Sequence, residues 1–386
     1  MTFKNSAIVL LTPLALLTGY SAQAQVNTTI YGVLDAGVRS SDGLGLSSTS
    51  SPSPNANSVT ALASGVDRSG RFGLNGIEDL GSGYQAFFTL EGDLYLNTGS
   101  TNVNTGTDKN TAAATADKFF ERGAFVGLAT PAGNISLGRQ QSLIRDIIDG
   151  IDAIDGRFTS FNPNLQYTSL NSPALVTSAA TYYGTGDGGN GSMMRQDNAV
   201  KYVAQAGSFS GSLLYSLGGV AGAAQDGTST EAGLTFKQGP IALATAYEVL
   251  NNSTSLLKLK AYTLGGRLTE GDWQVSANFG SNTADNTVAT QIKTDIYSVG
   301  TTYAASSAID LTVGYYNVKR SWTNDVKPNA SIDRIIGFAE YKFSKNTLAY
   351  LELDYNKWGG DVTQFQGGAA NKSTTTGFTI GLNKKI

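Results

Sequence analysis

The stretch Thr347-Leu-Ala-Tyr-Leu-Glu-Leu-Asp-Tyr-Asn-Lys357 decides the fold. Successive side chains of a strand point to opposite faces. Ala349, Leu351, Leu353 and Tyr355 therefore share one side, and Glu352 and Asp354 share the other. Such a strand separates an apolar medium from a polar one. A half-buried sheet in a soluble sandwich alternates in the same way, so the number of such strands has to discriminate.

The alternation recurs along the chain. Tyr84, Ala86, Phe88, Leu90 and Leu94 oppose Gln85, Thr89, Glu91 and Asp93, after a glycine turn at Asp79-Leu-Gly-Ser-Gly83. Further strands are expected at Asn27–Val38, Phe119–Leu128, Asn134–Arg139, Asn198–Gln205 and Ser208–Leu217, and then regularly to Ile386. Arg39–Ser64, rich in Ser, Gly, Asn and Pro, is expected to be a long surface loop. Short turns (Gln238-Gly-Pro240, Glu270-Gly-Asp272, Ser344-Lys-Asn346) alternate with long polar loops (97–115, 218–229, 358–372). About sixteen strands of roughly ten residues, with short turns at one end and long loops at the other, predict an all-β transmembrane antiparallel barrel. A sandwich rarely reaches that count in one domain. Tyr31, Tyr84, Tyr95, Phe119, Tyr341, Phe343 and Trp358 near strand ends suit interfacial girdles.

Composition agrees with this reading. A basic start at Lys4, an apolar run from Ala7 to Leu17 and Ser21-Ala-Gln-Ala24 predict a cleaved signal peptide over residues 1–24. Losing Lys4 with it takes the formal net charge from −3 to −4, which speaks against a nucleic-acid partner. The chain has no cysteine, so stability must come from packing and hydrogen-bond ladders. It has no histidine, which removes Ser–His and Asp–His catalysis and the commonest zinc and haem ligand. No enzyme activity, metal or cofactor is expected.

One stretch stands apart: Gly138-Arg-Gln-Gln-Ser-Leu-Ile-Arg-Asp-Ile-Ile-Asp-Gly-Ile-Asp-Ala-Ile-Asp-Gly-Arg-Phe158. Asp146, Asp149, Asp152 and Asp155 recur at every third position, with Ile144, Ile147, Ile148, Ile151 and Ile154 between them. In a helical turn the acids would share one side and the isoleucines the other, and a 3₁₀ turn would align the acids better than an α-helix. Such a segment needs an apolar wall to lie on and a polar space to face. A solvated acidic surface loop remains the plainer alternative.

Ile30-Tyr-Gly-Val-Leu-Asp-Ala-Gly37, Gly70-Arg-Phe-Gly-Leu-Asn-Gly-Ile-Glu-Asp-Leu-Gly81, Arg122-Gly-Ala-Phe-Val-Gly-Leu128, Ser136-Leu-Gly-Arg-Gln140 and Arg195-Gln-Asp-Asn-Ala-Val-Lys-Tyr202 together resemble the general porins of Gram-negative bacteria, of the β-proteobacterial and neisserial type. The resemblance implies a porin barrel over residues 25–386, in the outer membrane, with the third long loop (about 141–194) folded inward as a constriction. It also implies a homotrimer bathed in outer-membrane lipid and lipopolysaccharide, passing small hydrophilic solutes and ions by passive diffusion. Ile30, Val33 and Phe378 are expected on the outer faces that meet in the trimer.

The matching wall arginines are Arg71, Arg122 and Arg195, with Arg139 a further one, facing Asp146, Asp149, Asp152 and Asp155 on the loop. Rim arginines bound to loop carboxylates or lipopolysaccharide phosphate are the alternative. Truncating Arg122 to Ala is expected to widen the opening with little loss of folding. Where the family usually ends in an aromatic residue, this sequence has Ile386. A barrel acting mainly as an adhesin or receptor through its long loops is the competing function.

Overall fold

In a computed structural model, residues 27–46, 52–101, 119–158, 162–166, 194–252, 255–285, 288–323, 329–360 and 374–386 are described. The expected signal peptide and residues 159–161 and 167–193 of the expected constriction loop lie outside them. So do most of the 97–115 loop and the 361–373 part of the last one.

The first strands are β1 (Asn27–Leu46), β2 (Pro52–Ser64), β3 (Arg71–Gly81), β4 (Tyr84–Asp93), β5 (Gly123–Thr130) and β6 (Gly133–Gln141). Two helices follow, α1 (Leu143–Ile151) and α2 (Pro163–Gln166). After them come β7 (Arg195–Ala206), β8 (Phe209–Ser216), β9 (Ser229–Gln238), β10 (Ile241–Asn251), β11 (Lys258–Glu270) and β12 (Trp273–Asp285). The chain ends with β13 (Gln291–Ala304), β14 (Ile309–Thr323), β15 (Ala330–Ser344), β16 (Thr347–Gly360) and β17 (Thr374–Lys385).

From β3 on each strand pairs antiparallel with the next, β2 pairs with β1, and β1 pairs with β17 to close the ring. Gly32 and Ile386 exchange backbone hydrogen bonds at 3.1 Å, carrying that seam to the end of the chain. Seventeen segments make sixteen wall positions, because β2 and β3 share one lane. Ala36–Leu46 of β1 pairs with β2, and Asn27–Val33 pairs with β3.

The stretch expected as a loop over 39–64 is therefore mostly strand. Its sequence is rich in Ser, Gly, Asn and Pro, so the regular apolar period that marks the other strands is absent there. Its pairing rests on the backbone and on buried Arg39, which bonds Glu352 (2.8 Å) and Asp354 (2.6 Å) across the barrel seam.

The outside is apolar. On β16 Leu351, Leu353 and Tyr355 are exposed while Glu352, Asp354 and Asn356 are buried, and on β17 Phe378, Ile380 and Leu382 are exposed while Thr379 and Asn383 are buried. A contiguous exposed apolar surface of this extent marks a lipid-facing wall. Aromatic rows run along it: Tyr84, Tyr341 and Phe343 are exposed beside short turns, and Trp273 stacks on Tyr303 at 4.4 Å between ring centres. Two expectations change. Val33 is 5% exposed and faces inward, unlike Ile30 at 74%. Tyr31 donates its hydroxyl to Glu91 (2.9 Å) instead of joining a girdle.

The apolar interior is built by the loop that follows β6. Leu143, Ile144, Ile147, Ile148 and Ile151 of α1 bury against Ala199, Ala244, Ala246, Leu259, Ala261 and their neighbours on the inner face of the wall. Each such side chain contributes about 2 kcal/mol. Small wall residues make the close approach possible. A Cβ at Gly300 would collide with the carbonyl of Ala153, and one at Gly314 with the side chain of Ile154.

Candidate functional site: a charged cavity between wall and loop

Ser142 caps α1, its hydroxyl accepting from the Arg145 N–H at 3.2 Å, while the Leu143 N–H donates to Glu231 on β9. Ile154 then packs against β14, Arg157 reaches Glu340 on β15, and the Phe158 N–H donates to the carbonyl of Val66 between β2 and β3 (2.8 Å). The Arg39 guanidinium lies 5.0 Å over the Phe158 ring. Between Ser142 and Phe158 the chain thus follows the inner wall from β9 round to β1, and among the described residues it leaves the arc from β3 to β6 uncovered.

A cavity of about 430 Å³ opens on that arc. The wall supplies Arg71 from the start of β3, Glu91 from β4, Arg122 just before β5, and Lys385. The loop supplies Arg145, Asp149 and Asp155, and Arg68 comes from the short segment between β2 and β3. That segment turns inward because Asp35 accepts the N–H groups of Val66 (2.9 Å) and Arg68 (3.4 Å). Five cationic side chains thus face three carboxylates around one opening.

The expected wall arginines separate into two kinds. Arg71 is about one third exposed and sits 3.6 Å from Glu91. Arg122 lines the cavity but is clamped by Glu91 (2.6 Å) and Asp93 (2.7 Å), with its side chain 4% exposed. Its removal would take the shortest ion pair from both Glu91 and Asp93, so this geometry argues against the expectation of little folding loss. Arg195 is buried behind it, donating to the Arg122 carbonyl at 3.0 Å, and Arg139 pairs with Asp197 at 2.6 Å. Neither lines the cavity.

The four aspartates divide as well. Asp149 and Asp155 face the cavity; Asp149 pairs with Arg145 at 3.1 Å, and Asp155 with Arg68 (2.9 Å) and Arg267 (3.0 Å). Asp146 pairs with Lys201 at 2.7 Å away from it. Asp152 is wholly buried. The even three-residue spacing fails as a guide because α1 ends at Ile151, and Asp152 begins a turn with a different rotation per residue. Arg68, Arg145 and Lys385 carry no signal by residue type alone. The i,i+4 spacing of Arg145 and Asp149 is the signal from which the loop's own cation can be read.

Burial alone would lift the Asp155 carboxyl, but Arg68, Arg157 and Arg267 hold it below the usual carboxylate range. Asp67 goes the other way. Burial, then the neighbouring Glu340 carboxylate, push it up to about 8. Glu121 is pushed up to about 9 by burial and then by Asp93.

Comparison with known proteins places the whole arrangement. The family model for Gram-negative porins matches residues 10–361. An outer membrane porin protein of Bordetella pertussis is 28% identical over 269 residues, covering 65% of this chain and 63% of that protein. The major outer membrane protein P.IB of Neisseria meningitidis serogroup A is 23% identical over 96% of this chain and 97% of its own length. Among solved structures, the anion-selective porin from Comamonas acidovorans superposes with a TM-score of 0.71 at 18% identity, covering 94% of this chain and 100% of that one. Salmonella typhi OmpF, in complex with daunomycin, gives 0.61 at 12% identity over 93% and 97%. With its closed barrel, its lipid-facing exterior and a family match over most of its length, this chain belongs to the Gram-negative porin family of the outer membrane.

Proposed function

We propose that the cavity between the β3–β6 wall and the 142–158 loop is the constriction of a passive diffusion path for small hydrophilic solutes and ions, and that it favours anions. The observation that carries this is the lining: Arg68, Arg71, Arg122, Arg145 and Lys385 against Glu91, Asp149 and Asp155. Two unit charges 4 Å apart at an effective dielectric near 20 interact by roughly 4 kcal/mol, so a passing ion feels this set strongly. Polar solutes orient in such a field, and apolar ones gain nothing from it. The path needs no covalent step and no cofactor. The anion-selective porin from Comamonas acidovorans shares the fold and supports the sign of the preference.

The test is the reversal potential of single channels in a salt gradient. Anion preference is expected, with Asp149→Asn strengthening it and Arg71→Gln weakening it by roughly twofold in permeability ratio, because both groups are partly solvated and screened. Reversal potentials that ignore both substitutions would remove the cavity from the conducting path. A protein that inserts without conducting would favour the receptor reading.

The functional unit proposed is a homotrimer joined through the outer faces of β1 and β17, where Ile30, Phe378 and Ile380 are exposed. Extracted protein is expected to migrate as an oligomer in detergent gels until heated. Ile30→Lys should lower the dissociation temperature without changing the monomer's barrel signature in circular dichroism.

A further inference from the structure

Asp152 accepts hydrogen bonds from five groups. Its Oδ2 accepts from the N–H groups of Ile154 (3.1 Å) and Gly156 (2.9 Å) and from Asn162 Nδ2 (2.9 Å). Its Oδ1 accepts from Asn164 Nδ2 at 2.7 Å, and the Tyr316 hydroxyl of β14 lies 3.1 and 3.2 Å from the two oxygens. The carboxylate is fully buried.

These bonds shape the turn that presents Asp155. The Asp155 N–H donates to the carbonyl of Asp152 (3.2 Å), and Asp155 and Gly156 both adopt left-handed backbone angles, φ 60 and 67. A residue with a Cβ holds that conformation only where its surroundings impose it. The two N–H groups captured by Asp152 lie on either side of Asp155, and Tyr316 ties the carboxylate to the wall. Arg267 spans the same unit, touching the Asp152 carbonyl (3.4 Å) and the Asp155 carboxylate (3.0 Å).

We propose that Asp152 is a positioning residue: it holds the 152–156 turn against Tyr316 so that the Asp155 carboxylate projects into the cavity, and it acts on permeation through Asp155. Its role in permeation, though not its role in the turn, rests on reading the cavity as the constriction. The site is specific for a carboxylate. Asparagine would have to turn its N–H₂ group either toward the Ile154, Gly156 and Asn162 donors or toward Asn164 Nδ2, with only the Tyr316 hydroxyl able to accept from it, so at least one buried donor would lose its acceptor.

The chain has no cysteine, so Asp155→Cys gives a single labelling site. Its reaction rate with a small charged methanethiosulfonate is measured in the folded, membrane-inserted protein, alone and combined with Tyr316→Phe or Asp152→Asn. Tyr316→Phe changes no charge and removes one hydrogen bond. It is expected to shift the labelling rate by roughly threefold, the change in populations that one such bond supports. Asp152→Asn is expected to shift it further in the same direction. Rates that stay at the Asp155→Cys value in the Tyr316→Phe background, which is the gentler of the two for folding, would overturn the proposal.

Permeability ratios separate the two readings. If Asp152 acts through Asp155, then Asp152→Asn and Asp155→Asn together shift the ratio no further than Asp155→Asn alone. Additive shifts would make Asp152 an independent pore charge and overturn the positioning role. A labelling rate that moves while no substitution changes the ratio would keep the turn's role and sink the constriction reading instead.

Discussion

Replacing Arg122 by Ala is expected to destabilise the folded barrel by about 3 kcal/mol or more, the usual consequence of removing one partner from a buried charge pair. Its guanidinium is bonded to Glu91 at 2.6 Å and to Asp93 at 2.7 Å, with almost no exposure. Glu91 keeps Arg71 at 3.6 Å and the Tyr31 hydroxyl at 2.9 Å after the change. Asp93 loses its 2.7 Å guanidinium bond and keeps its backbone N–H bond to Glu121 (2.9 Å) and the neighbouring Arg195 charge. Asp93→Asn added to Arg122→Ala should recover only part of the loss, because Arg195 and Glu121 still favour the Asp93 carboxylate. Arg71→Ala supplies the contrast. That side chain is about one third exposed and its ion pair is long, so its cost should stay under ~1 kcal/mol. Urea unfolding of the detergent-solubilised barrel, followed by tryptophan fluorescence, reads all three. Equal losses for Arg71 and Arg122 would mean that lumen water screens Arg122 as well as it screens Arg71.

That contrast shows where residue type stops being informative. Arg71, Arg122, Arg139 and Arg195 look equivalent in the sequence, and what separates them is the depth of the wall at each strand end. Arg139 and Arg195 are held by Asp197 and by the Arg122 carbonyl, contacts that the pairing of β5, β6 and β7 creates. The barrel itself was legible, because a period of two, repeated on strand after strand, has few other physical solutions. The β2–β3 lane was not. Its inward turn depends on Asp35 capturing N–H groups 31 and 33 residues away, and the β2 half, rich in Ser, Pro and Asn, reads like a loop. The aspartate series was half legible. Asp149 and Asp155 reach the cavity, whereas Asp152 turns into the protein once the helix ends. Nothing in the spacing marks that end, since Gly150 lies before it and no proline follows until Pro163.

Arg157→Ala is expected to release the far end of the loop. Arg157 meets Glu340 through two bonds, Nε to Oε1 at 3.0 Å and Nη2 to Oε2 at 2.8 Å, and lies 3.3 Å from Asp67. Its Nη1 also donates to the Ile154 carbonyl at 3.0 Å. Truncation leaves two buried carboxyl groups facing each other, at a cost of roughly 3–5 kcal/mol. Lysine should rescue little, because it lacks the planar fork that meets both oxygens of Glu340. Higher conductance with noisier open-channel current should accompany the loss, since the detached segment no longer fills its side of the lumen. The same clamp predicts a pH dependence. The Asp67 carboxyl is raised from about 4 in an unfolded chain to about 8 in the fold, so the native state holds the extra proton. The stability this contributes is complete below about pH 4 and is lost as pH rises through 8. Glu121, pushed up to about 9, acts in the same direction. Asp155, held low, acts in the opposite direction and only in acid. Between pH 6 and 9 the net result is a loop end that loosens as the solution becomes more alkaline. The unfolding midpoint should fall over that range. Asp67→Asn and Glu121→Gln should each flatten part of the slope. If Asp67→Asn leaves the slope unchanged, the proton does not reside in the Asp67–Glu340 pair, and the clamp is held by Arg157 alone.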